Sequence, residues 1–528
     1  MESHADGSLL QRQNLDRRKI MVVNLKARIE TFLKDHKNVF LWMLCALALL
    51  RIFFFIASFP FFNNVDEKSH FDTVVKYSKG YLPRTETMKF EYESAELIVL
   101  YSSPEYFRNL KYLKSAKTSP PVWHFNRDKI SQYLNNATNG WTRHTNREAF
   151  SPPVYYALAG IWYNIGKLLG IKGLHLLYWI RFLNIPIYAT LFWFAYLLCR
   201  NAFKNDLFMQ VGVLVLLTCF PQDVFYSINS DVLSPLFCLM SIYFLIQILR
   251  SYRSFSFHLL TGLVVSATFL IKFSNFPMLL IFAIFIFLHI RKLVYERRLK
   301  EQLPNLFSLV SGCLLPIIFW FGWNSYALGD FTGSILKVHD LGWTVKTLGK
   351  MLDHPIFTLG GFTYFTSNLI NTFWRGELVW GLQRITSPGM DYFYVLSSCL
   401  FVTLSTINSL FSKNDYSPDQ RFLNYISALM LLFSVFFLSI LSIIYDFGNC
   451  PYPSQAHPYF VSGRLIFGAF LPFLILYLDG LRIFTSKISR RINPLIVVLF
   501  ICIIITCSEI HMTYPVLKSH YNWFHILG

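Results

Sequence analysis

Charged side chains are scarce in this chain: they make up 15% of its 528 residues, where soluble domains carry about 25%. That scarcity excludes an ordinary water-soluble globule. Acidic residues are the rarer sign, 30 against 48 basic, for a net charge of +18. The Lys and Arg sit in short loops between apolar runs, which is the positive-inside pattern of a membrane protein and not a nucleic-acid footprint. Cysteine is sparse too. Of the 9, only Cys450 is clearly in a loop; Cys45, Cys199, Cys219, Cys238, Cys313, Cys399, Cys502 and Cys507 lie in or beside apolar runs. A disulfide framework and a metal-type cysteine spacing are therefore excluded. No Walker loop, dinucleotide loop or transporter-like repeat is seen, and no barrel-length alternation. No cleavable signal peptide is evident. A basic head (Arg12, Arg17, Arg18, Lys19, Lys26, Arg28, Lys34, Lys37) leads into a full-length apolar run and reads as a signal anchor.

What is present is apolar: 54% hydrophobic and 18% aromatic residues, with mean hydropathy +0.40. A membrane span needs about 20 such residues, and lipid admits only helices or closed barrels. The sequence thus predicts an all-α, polytopic, integral membrane protein with about eleven transmembrane helices. They run over Val39–Phe62, Leu174–Cys199, Leu207–Pro221, Val232–Leu249, Leu259–Ile271, Phe276–Ile290, Leu306–Trp323, Tyr392–Phe411, Leu423–Tyr445, Leu465–Leu478 and Leu495–Cys507. Pro153–Ile171 is apolar as well, but as a span it would put the later basic loops on the wrong side. Its Pro152-Pro153 start and its Tyr155, Tyr156, Tyr163, Asn164 and Lys167 fit a helix in the outer interface. The N-terminus is then cytoplasmic, and so is "RKLVYERRLK" (291–300). Segments 1–38, 39–480 and 481–528 read as a basic head, a transmembrane module and a last loop, span and short outer tail. Long outer loops at 63–173 (with the sequon Asn136-Ala137-Thr138) and 325–390 interrupt the module.

Four polar stretches fall on the outer side. They are "VDEKSHFD" (65–72), "REAFSPPVYYALAG" (147–160), "YSINSDVLS" (226–234) and "YPSQAHPYFVSGRL" (452–465). Arg181 and Lys272 add positive charge at that level. Charges at the hydrocarbon edge are costly and mark function or a partnered pair. An Asp-Glu-x-x-His-Phe after the first span, a Pro-Pro-x-Tyr-Tyr and an Asn-x-Asp between spans, in that order, resemble the GT-C glycosyltransferase superfamily. Within it the motifs are most similar to a bacterial uncharacterised polytopic membrane family, and more distantly to protein O-mannosyltransferases and aminoarabinose transferases. The late stretch departs from the resemblance: it reads "AHPYFVSGRL" where a Gln-Gly-Arg-Tyr type is expected, so His457 and Arg464 carry over poorly.

The resemblance implies transfer of a sugar from a polyprenyl-phosphate donor to a hydroxyl on a glycan, lipid or protein acceptor, on the outer face of the membrane (the plasma membrane if the host is bacterial). Asp66 takes the position of the general base, with Glu67 orienting it or the acceptor. Arg181, Lys272 and Arg464 are candidate phosphate ligands, and Asn229 and Asp231 are candidates to hold the sugar or the base. His70, Tyr155, Tyr156 and His457 are candidate substrate contacts. The residues themselves leave other readings open. Asp66 and Glu67 also fit a solvated loop start, Asp231 a helix cap, Arg181 and Lys272 snorkelling side chains, and the tyrosines an aromatic belt. Arg375 and Glu377, in "NTFWRGELVWG" (371–381), fit either an acceptor gate or a packed interfacial helix. No metal ligand is assigned, because the spacing of His70, Asp72 and His457 is unlike a zinc set; a divalent cation stays an option. The competing class is a non-catalytic transporter or lipid-linked glycan handling protein. It requires charges at the membrane midplane, whereas these gather at one side.

Overall fold

The computed structural model describes residues 31, 35–62, 66–85, 88–109, 121–412, 416–450, 452–489 and 491–525. Of the basic head read at 1–38, residues 1–30 and 32–34 lie outside the described residues. Among the described residues, nine helices are long and apolar enough to cross a membrane, and two shorter apolar helices accompany them. Each of the eleven apolar runs read from the sequence is one of these.

The first span, α1 (Lys37–Ser58), leads into a polar segment holding α2 (Glu67–Ser78), α3 (Tyr92–Tyr101), α4 (Arg127–Trp141) and α5 (Val154–Leu168). Next, α6 (Gly173–Phe182) and α7 (Asn184–Ala202) form a 30-residue apolar segment. Five helices follow: α8 (Leu207–Cys219), α9 (Ser234–Arg250), α10 (Phe255–Ile271), α11 (Phe276–Tyr295) and α12 (Leu299–Leu328). A second polar segment carries α13 (Ile335–Asp340), α14 (Leu348–Leu352) and α15 (Leu359–Arg375). The chain ends with α16 (Pro388–Phe411), α17 (Pro418–Ile444), α18 (Phe470–Ile488) and α19 (Pro494–Leu517). Two short antiparallel pairs tie the late segment down. β1 (Thr344–Val345) pairs with β4 (Tyr445–Asp446), and β2 (Val379–Trp380) with β3 (Gln383–Arg384).

Local chemistry sets where the helices begin. Asp206 accepts from the Met209 amide at the head of α8, Ser254 from Phe257 at α10, and Ser417 and Gln420 close a reciprocal capping box at α17. Proline opens α9, α11, α16, α17 and α19, where its missing N–H costs nothing. The core lies around α18. In the most apolar stretch of Gly463–Ile488, 89% of the residues are buried, against 28% in that of α1, so α18 is the central post and α1 faces lipid. At 15 residues, α5 is about 22 Å long, short of the roughly 30 Å hydrocarbon core. Its Tyr155, Tyr156 and Tyr163 face inward, and Leu158, Ile161 and Ile165 face out. This two-faced packing is what a helix lying in the interface requires.

Candidate active site

Where α1 ends, the chain turns and Asp66 starts α2 in the left-handed region, with φ 57° and ψ 16°. A residue with a side chain is uncommon there. The turn sends two adjacent carboxylates to different places: the Asp66 side chain is 52% exposed and Glu67 is fully buried.

Glu67 faces Arg181 of α6 in a bidentate pair, Nε to Oε1 and Nη2 to Oε2, both 2.7 Å. The same carboxylate accepts from the amides of Phe62 (2.8 Å) and Ile228 (2.9 Å). Arg181 also donates to the carbonyls of Phe59 and Pro60, and its guanidinium stacks 3.7 Å above the Phe61 ring. Every strong direction of both groups is used inside the protein. The expected roles of Glu67 beside the base and of Arg181 on a phosphate do not fit this geometry, and Arg181 does not snorkel either. Together they staple the end of α1. Asp72 is a second staple: it pairs with Lys76 and accepts from the Glu91 amide (2.8 Å) and from Asn146 (2.7 Å).

Asp66 belongs to a different group, centred on Arg464. Arg464 Nη2 lies 2.9 Å from Asp66 Oδ2, Nη1 3.5 Å from Asp231 Oδ2, and Nε 3.5 Å from Glu377 Oε2. Lys272 Nζ reaches the same Asp231 oxygen at 2.6 Å. Asn229 accepts from the Asp231 amide at 2.9 Å, so Asn229 is the cap and Asp231 is free to point at the cations. Gly463 brings Arg464 in: a Cβ there would meet the Phe373 backbone nitrogen at 2.0 Å, so only glycine lets this short helical turn lie on the end of α15. Glu377 is placed by Gly376 (φ 78°), with Asp223 accepting from the Glu377 amide at 3.0 Å.

On the other side of Asp66, His70 Nδ1 hydrogen-bonds the Tyr156 hydroxyl at 2.7 Å, and that hydroxyl lies 3.4 Å from Glu148 Oε2. Glu148 Oε1 takes Lys337 Nζ of α13 at 2.6 Å. Asp231 Oδ1 and His70 Nε2 are buried with no hydrogen-bond partner among the described residues. Tyr155 is buried edge-on against Tyr156. His457 stands apart, exposed and stacked on Tyr364 at 4.9 Å, so the structure does not bring it to this group. Arg375 is also elsewhere, paired with Asp391 at 2.7 Å.

The electrostatics follow from the neighbours. Desolvation pushes the Asp66 carboxyl up, but Arg464, with His70 and Lys337, outweighs it and leaves the group below its ordinary value. Glu148 is likewise opposed by burial but held well down by Lys337, His70 and Lys272. His70 is pushed down to about 4, by burial first, and is neutral at neutral pH. Asp223 is raised to about 7, chiefly by burial. Among the described residues no three His, Cys, Asp or Glu side chains converge on a common metal position; the carboxylates converge on Arg464 instead. Glu148, Lys337 and Asp223 have no role in the sequence reading, and Glu377 figures there only as an acceptor gate or part of a packed helix. Glu148 and Glu377 sit within the stretches quoted above, whereas Lys337 and Asp223 carry no sequence signal.

No curated protein matches the sequence. Among solved structures, the oligosaccharyltransferase of Archaeoglobus fulgidus, in its complex with Zn and sulfate, shares 12% identity over 70% of this chain and 44% of its own, with TM-score 0.34. Its AglB complex with an inhibitory peptide and a dolichol-phosphate shares 11% over 92% and 56%, and ArnT of Cupriavidus metallidurans bound to undecaprenyl phosphate 10% over 84% and 78%, each at TM-score 0.34. The chain thus spans less than half of the first of these. The sequence profile described as a predicted membrane protein (DUF2142) matches residues 49–446, and the chain belongs to that family.

Proposed function

We propose that the chain is a membrane glycosyltransferase that moves a sugar from a polyprenyl-phosphate donor to an acceptor hydroxyl, with Asp66 as the general base. The observation that carries this reading is the half-exposed Asp66 carboxylate beside a partly exposed Arg464. An ionised base and a cation able to meet phosphate stand together where α1 leaves the membrane. Arg464 meets Asp66 with one arm and Asp231 with the other, and Lys272 lies beyond Asp231. Arg464 therefore touches both the base and Asp231, while Lys272 is set back from the base behind Asp231. The acceptor oxygen attacks the anomeric carbon, its proton passes to Asp66, and the bond from that carbon to the phosphate oxygen breaks. Polyprenyl phosphate leaves with the electron pair, its charge met by Arg464 and Lys272. A single displacement of this kind inverts the anomeric configuration.

The unpartnered Asp231 Oδ1 and His70 Nε2 support the same reading, because buried polar atoms are rarely left unsatisfied and a sugar hydroxyl suits both. The basic loop 291–300 lies at the Lys37 end of the bundle, which the positive-inside rule assigns to the cytoplasm, so the site belongs to the outer face. The test is release of polyprenyl phosphate from labelled polyprenyl-phosphate sugars by protein in vesicles. Release by the wild type and not by Asp66→Asn is expected. No release with any donor in a hexose, pentose and aminosugar panel would sink the reading.

A further inference from the structure

The opposite end of the bundle carries a groove with no part in this chemistry. It is a cavity of about 620 Å³ between α1 and α7, walled by Trp42, Leu49, Phe192, Trp193 and Tyr196. On α1 it runs from Asn38 to Leu49, and on α7 from Arg200 back to Ala189. Eleven residues of helix rise about 16 Å, half of the roughly 30 Å hydrocarbon core. The groove thus has the length of one leaflet. Trp42 and Trp193 are more than half exposed along it, so its mouth opens on the face of α1 that meets lipid.

Its polar end is cationic. Arg200 is exposed, and no carboxylate pairs with it among the described residues. Lys37, one residue before Asn38, donates to Gln210 and lies 5.6 Å from the Tyr196 ring. Arg200 is left to meet an outside anion.

We propose that this groove holds one phospholipid with an anionic headgroup, from the leaflet at the Lys37 end, its phosphate on Arg200 and one acyl chain between Trp42 and Trp193. Length and charge both select this occupant. A free anion leaves the apolar walls unfilled, and a zwitterionic lipid brings its own cation beside its phosphate, which weakens the pairing with Arg200. The donor proposed above is no alternative, because its phosphate belongs at the other end of α1, beside Asp66.

The experiment is native mass spectrometry of the purified protein exchanged into mixed phosphatidylglycerol and phosphatidylcholine, with monodisperse elution as the check of folding. One Arg near an anionic headgroup changes affinity about fivefold. The wild type should therefore retain phosphatidylglycerol over phosphatidylcholine by about that factor or more. Arg200→Gln should lower the preference about fivefold and Arg200→Lys should keep it. Ala189→Trp, which fills the acyl end, should reduce retention of both lipids. Equal retention by the wild type, or an undiminished preference in Arg200→Gln, overturns the proposal. Should Arg200→Gln not fold, unchanged retention in Ala189→Trp overturns it as well.

Discussion

Arg181 and Glu67 meet through two parallel hydrogen bonds of 2.7 Å, with neither side chain exposed. The pair joins α6 to the start of α2, and the Phe62 and Ile228 amides on the same carboxylate tie in the end of α1 and the approach to α9. The pair is buried, whereas Asp66, the preceding residue, is half in solvent.

Removing one partner of a buried pair strands a charge and costs about 3–5 kcal/mol. Arg181→Ala and Glu67→Ala should each lower the thermal unfolding temperature of the detergent-solubilised protein sharply. Wild-type melting in Arg181→Ala, together with weakened donor use, would restore the phosphate role.

Asp66→Asn should melt close to the wild type, because the side chain it alters is half-exposed, keeps its shape and gives up only a partly exposed ion pair worth about 1 kcal/mol or less. Transfer should fall at least a hundredfold, the usual scale for a lost general base. The acid limb follows from the lowered carboxyl: burial opposes ionisation but Arg464 outweighs it, so transfer is lost only below the ordinary carboxylate range and Asp66 adds no inflection near neutral pH. Substantial turnover in Asp66→Asn alongside an inactive but folded Glu67→Gln would move the base by one residue.

His70 binds a proton only near pH 4 in the folded protein and near 6.5 when unfolded. Unfolded chains therefore bind more protons between those values, and this group makes stability fall as pH falls from about 6.5 to 4. Neutral His70 predicts no inflection near pH 6.5 in the rate of transfer. In His70→Asn the sloping stability between pH 4 and 6.5 should flatten, measured by denaturant unfolding at each pH.

How much of this was legible in the residues depends on the kind of signal. The eleven apolar runs are visible because lipid demands about 20 apolar residues in a row. Helix α5 is visible because tyrosines and Pro152-Pro153 are poor material for a span. The grouping of Asp66 with Asp231, Lys272 and Arg464 follows from each lying where a helix begins or ends at one side of the bundle. The separation of Asp66 from Glu67 was not legible: one left-handed residue sends them apart, and nothing in the sequence marks it. Nor was Arg181, whose inward path depends on carbonyls freed where α1 ends. Lys337 meets Glu148 across 189 residues, through a segment with no motif.

Asp223 provides the last prediction. Its side chain is 4% exposed, and the chain around Gly376 leaves no room beside it: a Cβ on Gly376 would lie 2.0 Å from Oδ1. Burial raises its carboxyl from 3.8 to about 7, the Glu377 carboxylate adds to the rise, and the Glu377 amide, Arg464 and Arg375 oppose it. The folded protein thus holds a proton that the unfolded chain releases above pH 4. For such a group the stability contribution is complete below the unfolded value and is lost as pH rises through about 7. At about 1.4 kcal/mol per unit, the loss amounts to a few kcal/mol. Asp223→Asn keeps an oxygen to accept the Glu377 amide and has no charge to expose. The variant should therefore be more stable than the wild type at pH 8 and indistinguishable from it at pH 4, by denaturant unfolding in detergent. The substituted side chain can still accept from the Glu377 amide, so the turn that places Glu377 on Arg464 should hold and transfer at pH 6 should change by less than the roughly fivefold that losing a bond of about 1 kcal/mol would bring. A variant less stable than the wild type at pH 8 would mean that the ionised carboxylate, not the acid, is the form this turn requires.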